Sequence, residues 1–366
     1  MRIVFLLPIA DMSGGNRVVS IYAKALGQRG HAVTVISPPR RRRSFKNKVR
    51  SLLKNGVWDA EKMSPMSHLD NLGVHHQKLE TYRAIESKDI PDADVIVATW
   101  WETAEWLSRI DPQKGAKAYF IQHHEVFPYL PVERAKATYK MPLHKIVIAK
   151  WLRTVMSEEY GDTHVDLVPN SIDRNQFNAP PRTKQSRPTV GFLFSAEAFK
   201  GVDVTLRAIR LLRERFSNLR VVSFGNSEPV HFPDWDSEIE FERSPAQDRL
   251  RGIYAQCDVW ITASRSEGFN LPAMEAMGCR TPVVSTRTGW PEEAIGDNVN
   301  GFLVDIDDSS ALAAQTARIL TLESETWQTM SLLACRTATS GSWEQSTLWF
   351  EESLLKCIQR SANKEI

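Results

Sequence analysis

Cysteine is scarce in this 366-residue chain. The four are Cys257, Cys279, Cys335 and Cys357, with no CxxC pair and no His/Cys cluster at metal-ligand spacing. That leaves nothing to build a disulfide framework or zinc ribbon on, and reads as reduced thiols of a cytoplasmic protein. Long apolar runs are missing too: none approaches the ~20 residues of a membrane-spanning helix. The opening MRIVFLLPIA has no small-residue cleavage site and runs into a Gly turn and an amphipathic segment. It is expected to be a buried strand and not a targeting segment. An excess of either charge is also lacking. Lys and Arg number 46 against 44 Asp and Glu, a net charge of +2, so whole-chain charge gives no reason to expect nucleic acid. There is no internal repeat and no low-complexity tract. The Asp-x-Asp strings at 92–94 and 234–236 lie at a strand start and in a loop, without supporting ligands.

What is present is alternation of short apolar runs with helical periodicity. Residues 2–7 read as a buried parallel strand, DMSGGN as a turn, 16–29 as an amphipathic helix stopped by Gly30, and 31–37 as a second strand. Strand, Gly turn, helix, strand opens a doubly wound sheet. Further strands are expected at 94–100, 117–122, 144–150 and 165–170. The Pro-rich stretch 178–188 reads as an interdomain linker. A second series follows, with strands at 189–195, 219–225, 239–243, 259–264, 281–286 and 301–306. Helices are expected at 203–216, 308–320, 323–338 and 342–359. The fold class is therefore α/β: two doubly wound, Rossmann-like domains, 1–177 and 189–341, facing a central cleft. The terminal helix, 342–366, is expected to cross back to the first domain.

The densest chemistry lies in residues 264–304, SRSEGFNLPAMEAMGCRTPVVSTRTGWPEEAIGDNVNGFLV. A strand ends, a loop carries Glu267 and Gly268, and Pro272 sits where a first helical turn tolerates it. The N–H groups of 268–271 then leave a helix N-terminus suited to an anion such as a diphosphate. Gly268 allows close approach of a ligand. Glu267 and Glu275 flank that start. Carboxylates repel phosphate but accept hydrogen bonds from neutral sugar hydroxyls, so one can hold a ribose and the other a hexose. Taken singly, each has a plainer reading: Glu275 as an acid favouring the helix dipole, Glu267 as a solvated loop residue.

The string closely resembles the signature of the family 4 glycosyltransferases, which have the GT-B fold. The residues that carry the likeness are EGFNLPAME, AMGCRTPVVST, TGWPEE and NGFLV. The resemblance implies that Glu267 contacts the donor sugar and Glu275 the ribose. It places the backbone of Gly268, Phe269, Asn270 and Leu271 on phosphate and sugar, and Lys200 with Gly201 on the diphosphate. The family often carries an Arg six residues before that Lys; here Phe194 stands there. Arg243 or Arg265 is then expected to supply the missing contact. Asn226, in SFGNS, and residues 241–244 are expected near the base. Gly14 and Gly15 match the family's Gly-rich loop against the donor phosphates, and either His123 or His124 faces the transferred sugar. The run YFIQ, Glu125, Phe127 and AKATY also resembles the rhamnosyltransferase branch.

Adjacent residues of a strand or turn point apart, so His123, His124 and Glu125 are not expected to share a metal. Trp100, Trp101 and Trp106 read as core in preference to lining of an acceptor cleft. From 40 to 54 eight residues are basic and none is acidic. Arg40, Arg41, Arg42, Arg43, Lys46, Lys48 and Arg50, with Phe45, Val49, Leu52 and Leu53 at helical spacing, read as a segment resting on an anionic membrane surface, or as a solvated loop. The implied activity is a retaining, metal-independent transfer from a UDP-, dTDP- or GDP-sugar to a glycan or lipid-linked acceptor, with no cofactor. An epimerase of the same fold and a non-catalytic sugar-binding protein are the competing readings.

Overall fold

The computed structural model describes residues 1–40, 67–70, 72–230 and 232–365. The chain divides into two compact units: Met1–Val147, Leu152–Val168 and Thr347–Ile366 form the first, Ile148–Trp151 and Pro169–Ser346 the second.

The first unit holds the parallel strands β1 (Arg2–Leu6), β2 (Ala32–Ser37), β3 (His75–Lys78), β4 (Val95–Ala98), β5 (Ala116–Ile121), β6 (His144–Val147) and β7 (Val165–Leu167). Among the described residues their order is β3-β2-β1-β4-β5-β6-β7. The central strands are buried on both faces, which is why they read as continuous apolar runs. β3 is HHQK, a polar edge strand without apolar signal, and sequence patterning misses it. Helices α1 (Gly14–Gln28), α2 (Trp101–Ser108), α3 (Val132–Thr138) and α4 (Lys150–Tyr160) connect them. α1 buries Val18, Val19, Tyr22, Ala23 and Leu26, one stripe at helical spacing. The expected strand over 144–150 stops at Val147, because Lys150 already starts α4.

The second unit holds β8 (Thr189–Phe194), β9 (Arg220–Gly225), β10 (Glu240–Arg243), β11 (Val259–Thr262), β12 (Val283–Thr286) and β13 (Gly301–Val304), ordered β10-β9-β8-β11-β12-β13 among the described residues. Its helices are α5 (Val202–Arg215), α6 (Leu250–Ala255), α7 (Leu271–Gly278), α8 (Trp290–Ala294), α9 (Ser309–Thr321) and α10 (Ser324–Ala338). The order reverses at β1/β4 in the first sheet and at β8/β11 in the second. Open α/β sheets bind ligands at such points, beyond the carboxyl ends of the strands.

The stretch 178–188 is not a free linker. Arg182 donates to the Cys257 carbonyl and stacks over Trp327, Lys184 donates to Leu320 O at 3.0 Å, and Asp258 accepts from the Gln185 N–H. The boundary instead falls between Val168 and Pro169. Side-chain docking of Arg and Lys stems overrides the disorder that Pro-rich composition suggests. Helix α11 (Trp343–Ala362) closes the chain, and from Thr347 onward it belongs to the first unit. There Phe350 stacks on Tyr22 at 4.5 Å and meets Phe120 edge-on. Trp101 and Trp106 are buried core, whereas Trp100 is only half-buried.

Candidate functional site

The two loops flanking the switch point of the second sheet carry the site. β8 leads through the short turn Ala198–Lys200 to Gly201, which adopts the left-handed region at φ 62°. A Cβ there would overlap the carbonyl oxygen of Ala263, so only glycine fits. That close passage brings Lys200 against the exit of β11. Its Nζ donates to Glu267 Oε1 at 2.8 Å, and Ser264 Oγ donates to the same oxygen at 2.7 Å. Glu267 is therefore not a solvated loop residue; it is buried in a polar nest.

From Glu267 the loop runs through Gly268 and Phe269 to Asn270, the N-cap of α7, at φ 78°. Asn suits this left-handed position, where its side chain accepts from the Ala273 N–H and donates to Thr262 Oγ1 at 2.9 Å. The turn before α8 presses on the loop: a Cβ at Gly289 would lie 2.8 Å from Phe269 O and 2.9 Å from Glu267 Cβ. Two further hydrogen bonds tie the loop down, from Trp290 N to Phe269 O at 2.8 Å and from Trp151 Nε1 to Gly268 O at 3.0 Å.

Glu275 lies past the first turn of α7, 2% exposed, and accepts from Tyr254 Oη at 2.8 Å. The dipole reading fails for it: the carboxylate is aimed by a tyrosine of α6. Within this unit Lys200, Gly201, Glu267 and residues 268–271 come together, with Glu275 on the helix that the loop begins.

The expected stand-ins for the missing arginine are engaged elsewhere. Arg265 forms a two-pronged pair with Asp203, at 3.0 and 2.8 Å, and reaches Asp307 at 2.7 Å. Arg243 lies 3.7 Å from Glu228 on an exposed strand end. Phe194 is buried among Phe232, Trp235 and Phe241, all edge-on to it, so this position extends the core instead of presenting a cation. Phe241 belongs to that cluster, and Asn226 is exposed just after β9.

In the first unit, Gly14 and Gly15 open α1 at the end of β1. No described atom lies within 4 Å of a Cβ added at Gly14, so packing does not demand glycine there; at Gly15 a Cβ would meet Gln122 Nε2 at an ordinary 3.5 Å. Gln122 Nε2 also donates to Gly15 O at 3.3 Å, which sets the Gly turn beside the end of β5. Both histidines are partnered, His123 through Nδ1 with the His124 carbonyl at 3.0 Å. His124 Nε2 bonds Tyr160 Oη at 2.7 Å and its ring packs on Tyr139, while burial lowers its pKa. Burial also pushes the Tyr160 phenol up to about 12. His123 instead lies against Phe127, at 4.8 Å between rings. Glu125 is fully buried and accepts from the Trp101 N–H at 2.7 Å and from Tyr119 Oη. Burial raises its pKa well above the carboxylate range, against those two hydrogen bonds. The three neighbours thus diverge. Arg40 is exposed, and Arg41, Arg42, Arg43, Lys46, Lys48 and Arg50 lie outside the described residues.

Sequence reasoning missed Ser264, Tyr254, Gly289 and Trp151 as parts of the site. Ser264 and Gly289 stood in the quoted string without a role. Nothing local marks Tyr254 or Trp151, whose partners are 21 and 117 residues away.

Residues 187–322 match the family described as Glycosyl transferases group 1. A D-inositol 3-phosphate glycosyltransferase of Corynebacterium jeikeium is 30% identical over 187 residues, 47% of this chain and 43% of that protein. Its counterpart in Corynebacterium aurimucosum is 36% identical over 145 residues, 36% and 33% of the two chains. The chain thus spans less than half the length of these curated relatives. Among solved structures, Staphylococcus aureus TarM with fondaparinux, α-GlcNAc-glycerol and UDP superposes with TM-score 0.74 at 11% identity, over 98% of this chain and 100% of that one. Anabaena HepE with UDP and glucose gives 0.71 at 16%, over 97% and 99%. Sucrose-phosphate synthase from Thermosynechococcus elongatus gives 0.71 at 15%, over 96% and 98%. The fold is GT-B.

Proposed function

We propose that the chain moves a sugar from a nucleotide-sugar donor to an acceptor, as a member of the glycosyl transferases group 1 family that its residues 187–322 match. One observation carries the proposal: Lys200, Glu267 and the loop 268–271 meet at the switch point of the second sheet, with Glu275 on the helix that follows. Lys200 and the loop N–H groups supply positive charge for a diphosphate. Glu267 takes sugar hydroxyls and Glu275 the ribose. In the first unit the Gly14–Gly15 turn admits close approach, and His123 or His124 faces the transferred sugar; both rings are partnered, His123 Nδ1 with the His124 carbonyl at 3.0 Å and His124 Nε2 with Tyr160 Oη at 2.7 Å.

The transfer retains anomeric configuration without a covalent intermediate. The acceptor attacks on the face that the diphosphate leaves, and the leaving phosphate takes the acceptor's proton. The protein contributes orientation and charge stabilisation. No metal or cofactor takes part. UDP is the first nucleotide to test, since TarM and HepE were solved with it. The acceptor is a glycan or lipid-linked glycan. No helix among the described residues is long and apolar enough to cross a membrane.

Thermal shift against UDP-, dTDP- and GDP-sugars tests the donor. One of them, at 100 times its Kd, should stabilise the protein by about 2.7 kcal/mol. Glu275→Ala should abolish the shift; a surviving shift removes the ribose assignment. Nucleotide release that depends on an added acceptor separates transfer from epimerisation, and absence of any release leaves a sugar-binding protein.

A further inference from the structure

Three consecutive carbonyls of the donor loop are each held by a donor. Asn270 O accepts from Ala273 N at 3.2 Å and Phe269 O from Trp290 N at 2.8 Å. Gly268 O accepts from the indole Nε1–H of Trp151 at 3.0 Å. The first two donors are main-chain groups of neighbouring helices. The third is a side chain, and so the one that substitution can remove. Trp151 is itself fixed, since its own N–H donates to Glu293 Oε1 of α8 at 3.0 Å. It closes the short piece Ile148–Trp151 by which the chain enters the second unit between β6 and the body of α4.

In a planar trans peptide the carbonyl and the following N–H point in opposite directions. The described residues contain no cis peptide. Holding the Gly268 carbonyl therefore aims the Phe269 N–H, as holding Phe269 O aims the Asn270 N–H. We propose that Trp151 is a positioning residue for the donor: by holding the Gly268 carbonyl, its indole directs the Phe269 amide at the diphosphate of the nucleotide sugar. The inference rests on the glycosyltransferase reading. An amide already aimed donates without rearrangement when the charge arrives, which is where preorganised dipoles gain their effect. Gly289 serves the same end: its missing side chain lets the turn before α8 press on Glu267 and Phe269, so the loop has little room to turn its peptides over.

A tryptophan that only filled space would affect stability and leave phosphate affinity alone. The test separates these. UDP, GDP and dTDP are titrated calorimetrically into the full chain and into Trp151→Phe, which keeps an aromatic ring and loses the N–H. Binding of uridine, guanosine and thymidine is followed in parallel by saturation-transfer NMR. Loss of the Nε1–H should weaken the diphosphate by about three- to tenfold, the range of one ordinary hydrogen bond, and leave the nucleoside unchanged. Benzothienylalanine at position 151 retains the bicyclic shape and replaces N–H by sulfur; it should give the same loss at unchanged Tm, and it carries the test if Trp151→Phe folds poorly. Unaltered diphosphate affinity, or an equal loss for the nucleoside, overturns the role of Trp151. A wild-type chain that binds none of the three diphosphates overturns the donor reading instead, and this inference with it.

Discussion

Gly201 and Gly14 are both glycines at the start of a helix, and they are glycine for different reasons. At Gly201 the backbone is left-handed and a Cβ would strike the Ala263 carbonyl. Gly201→Ala should therefore cost several kcal/mol, of the order of about 3, or displace Lys200 from Glu267. Thermal denaturation measures the first and nucleotide affinity the second. At Gly14 nothing described stands within 4 Å. Gly14→Ala should leave Tm unchanged or slightly raised, since Ala is the better helix former by about 1 kcal/mol. If the turn lies on the donor, the same change should still lower turnover at least tenfold. Equal activity of Gly14→Ala and wild type would remove this turn from the site. Glu125 offers a third case. Burial favours the protonated form of this carboxyl, so its contribution is fully present below the unfolded carboxyl pKa and is lost as pH rises from there through the folded value. Glu125→Gln mimics the protonated form, so its stability should stay level with wild type in acid, below the unfolded carboxyl pKa, and fall less as pH rises above it in pH-dependent melts.

At the scale of elements, α11 shows how a helix is held by a small polar latch beside an aromatic stack. His144 Nε2 lies 2.9 Å from Ser353 Oγ, and Ser353 donates to Asp166 Oδ2 at 2.6 Å. Asp166 meets the same ring nitrogen as the serine, at 3.2 Å, and so does not orient the histidine from its far side as a catalytic triad requires. Burial raises the Asp166 pKa, but the bonds from His144 and Ser353 and the charge of Lys356 outweigh it and bring it to about 2. A depressed folded value stabilises above the unfolded pKa and is lost on acidification, here between about 4 and about 2. Melts across that window should show a shallower acid slope for Asp166→Asn than for wild type; parallel slopes would show that the latch does not contribute. Legibility differed by element for a plain reason. Buried parallel strands and the stripe of α1 carry their own period, so β1, α1, β8 and β11 are visible in the sequence. HHQK of β3 is an edge strand without one, and 178–188 looks like a linker until its Arg and Lys stems find docking sites.

For the whole molecule, the proposed chemistry carries no divalent ion, because Lys200 and loop amides provide the charge that a metal would. Turnover with the correct donor and acceptor should be unchanged in excess chelator. Loss of activity restored by a divalent ion would contradict the mechanism. The sequence by itself determined the fold class, the two sheets and the donor motif, because apolar periodicity and a contiguous 41-residue string are local information. It also showed that Phe194 departs from the family pattern. Only the tertiary structure decided what that departure does, namely extend an aromatic core while Arg265 and Arg243 serve acidic neighbours. Tertiary structure alone joined Lys200 to Glu267, Tyr254 to Glu275 and Trp151 to Gly268. Those partners lie 67, 21 and 117 residues apart. Strand order at the switch point, and not spacing along the chain, sets which loops become neighbours.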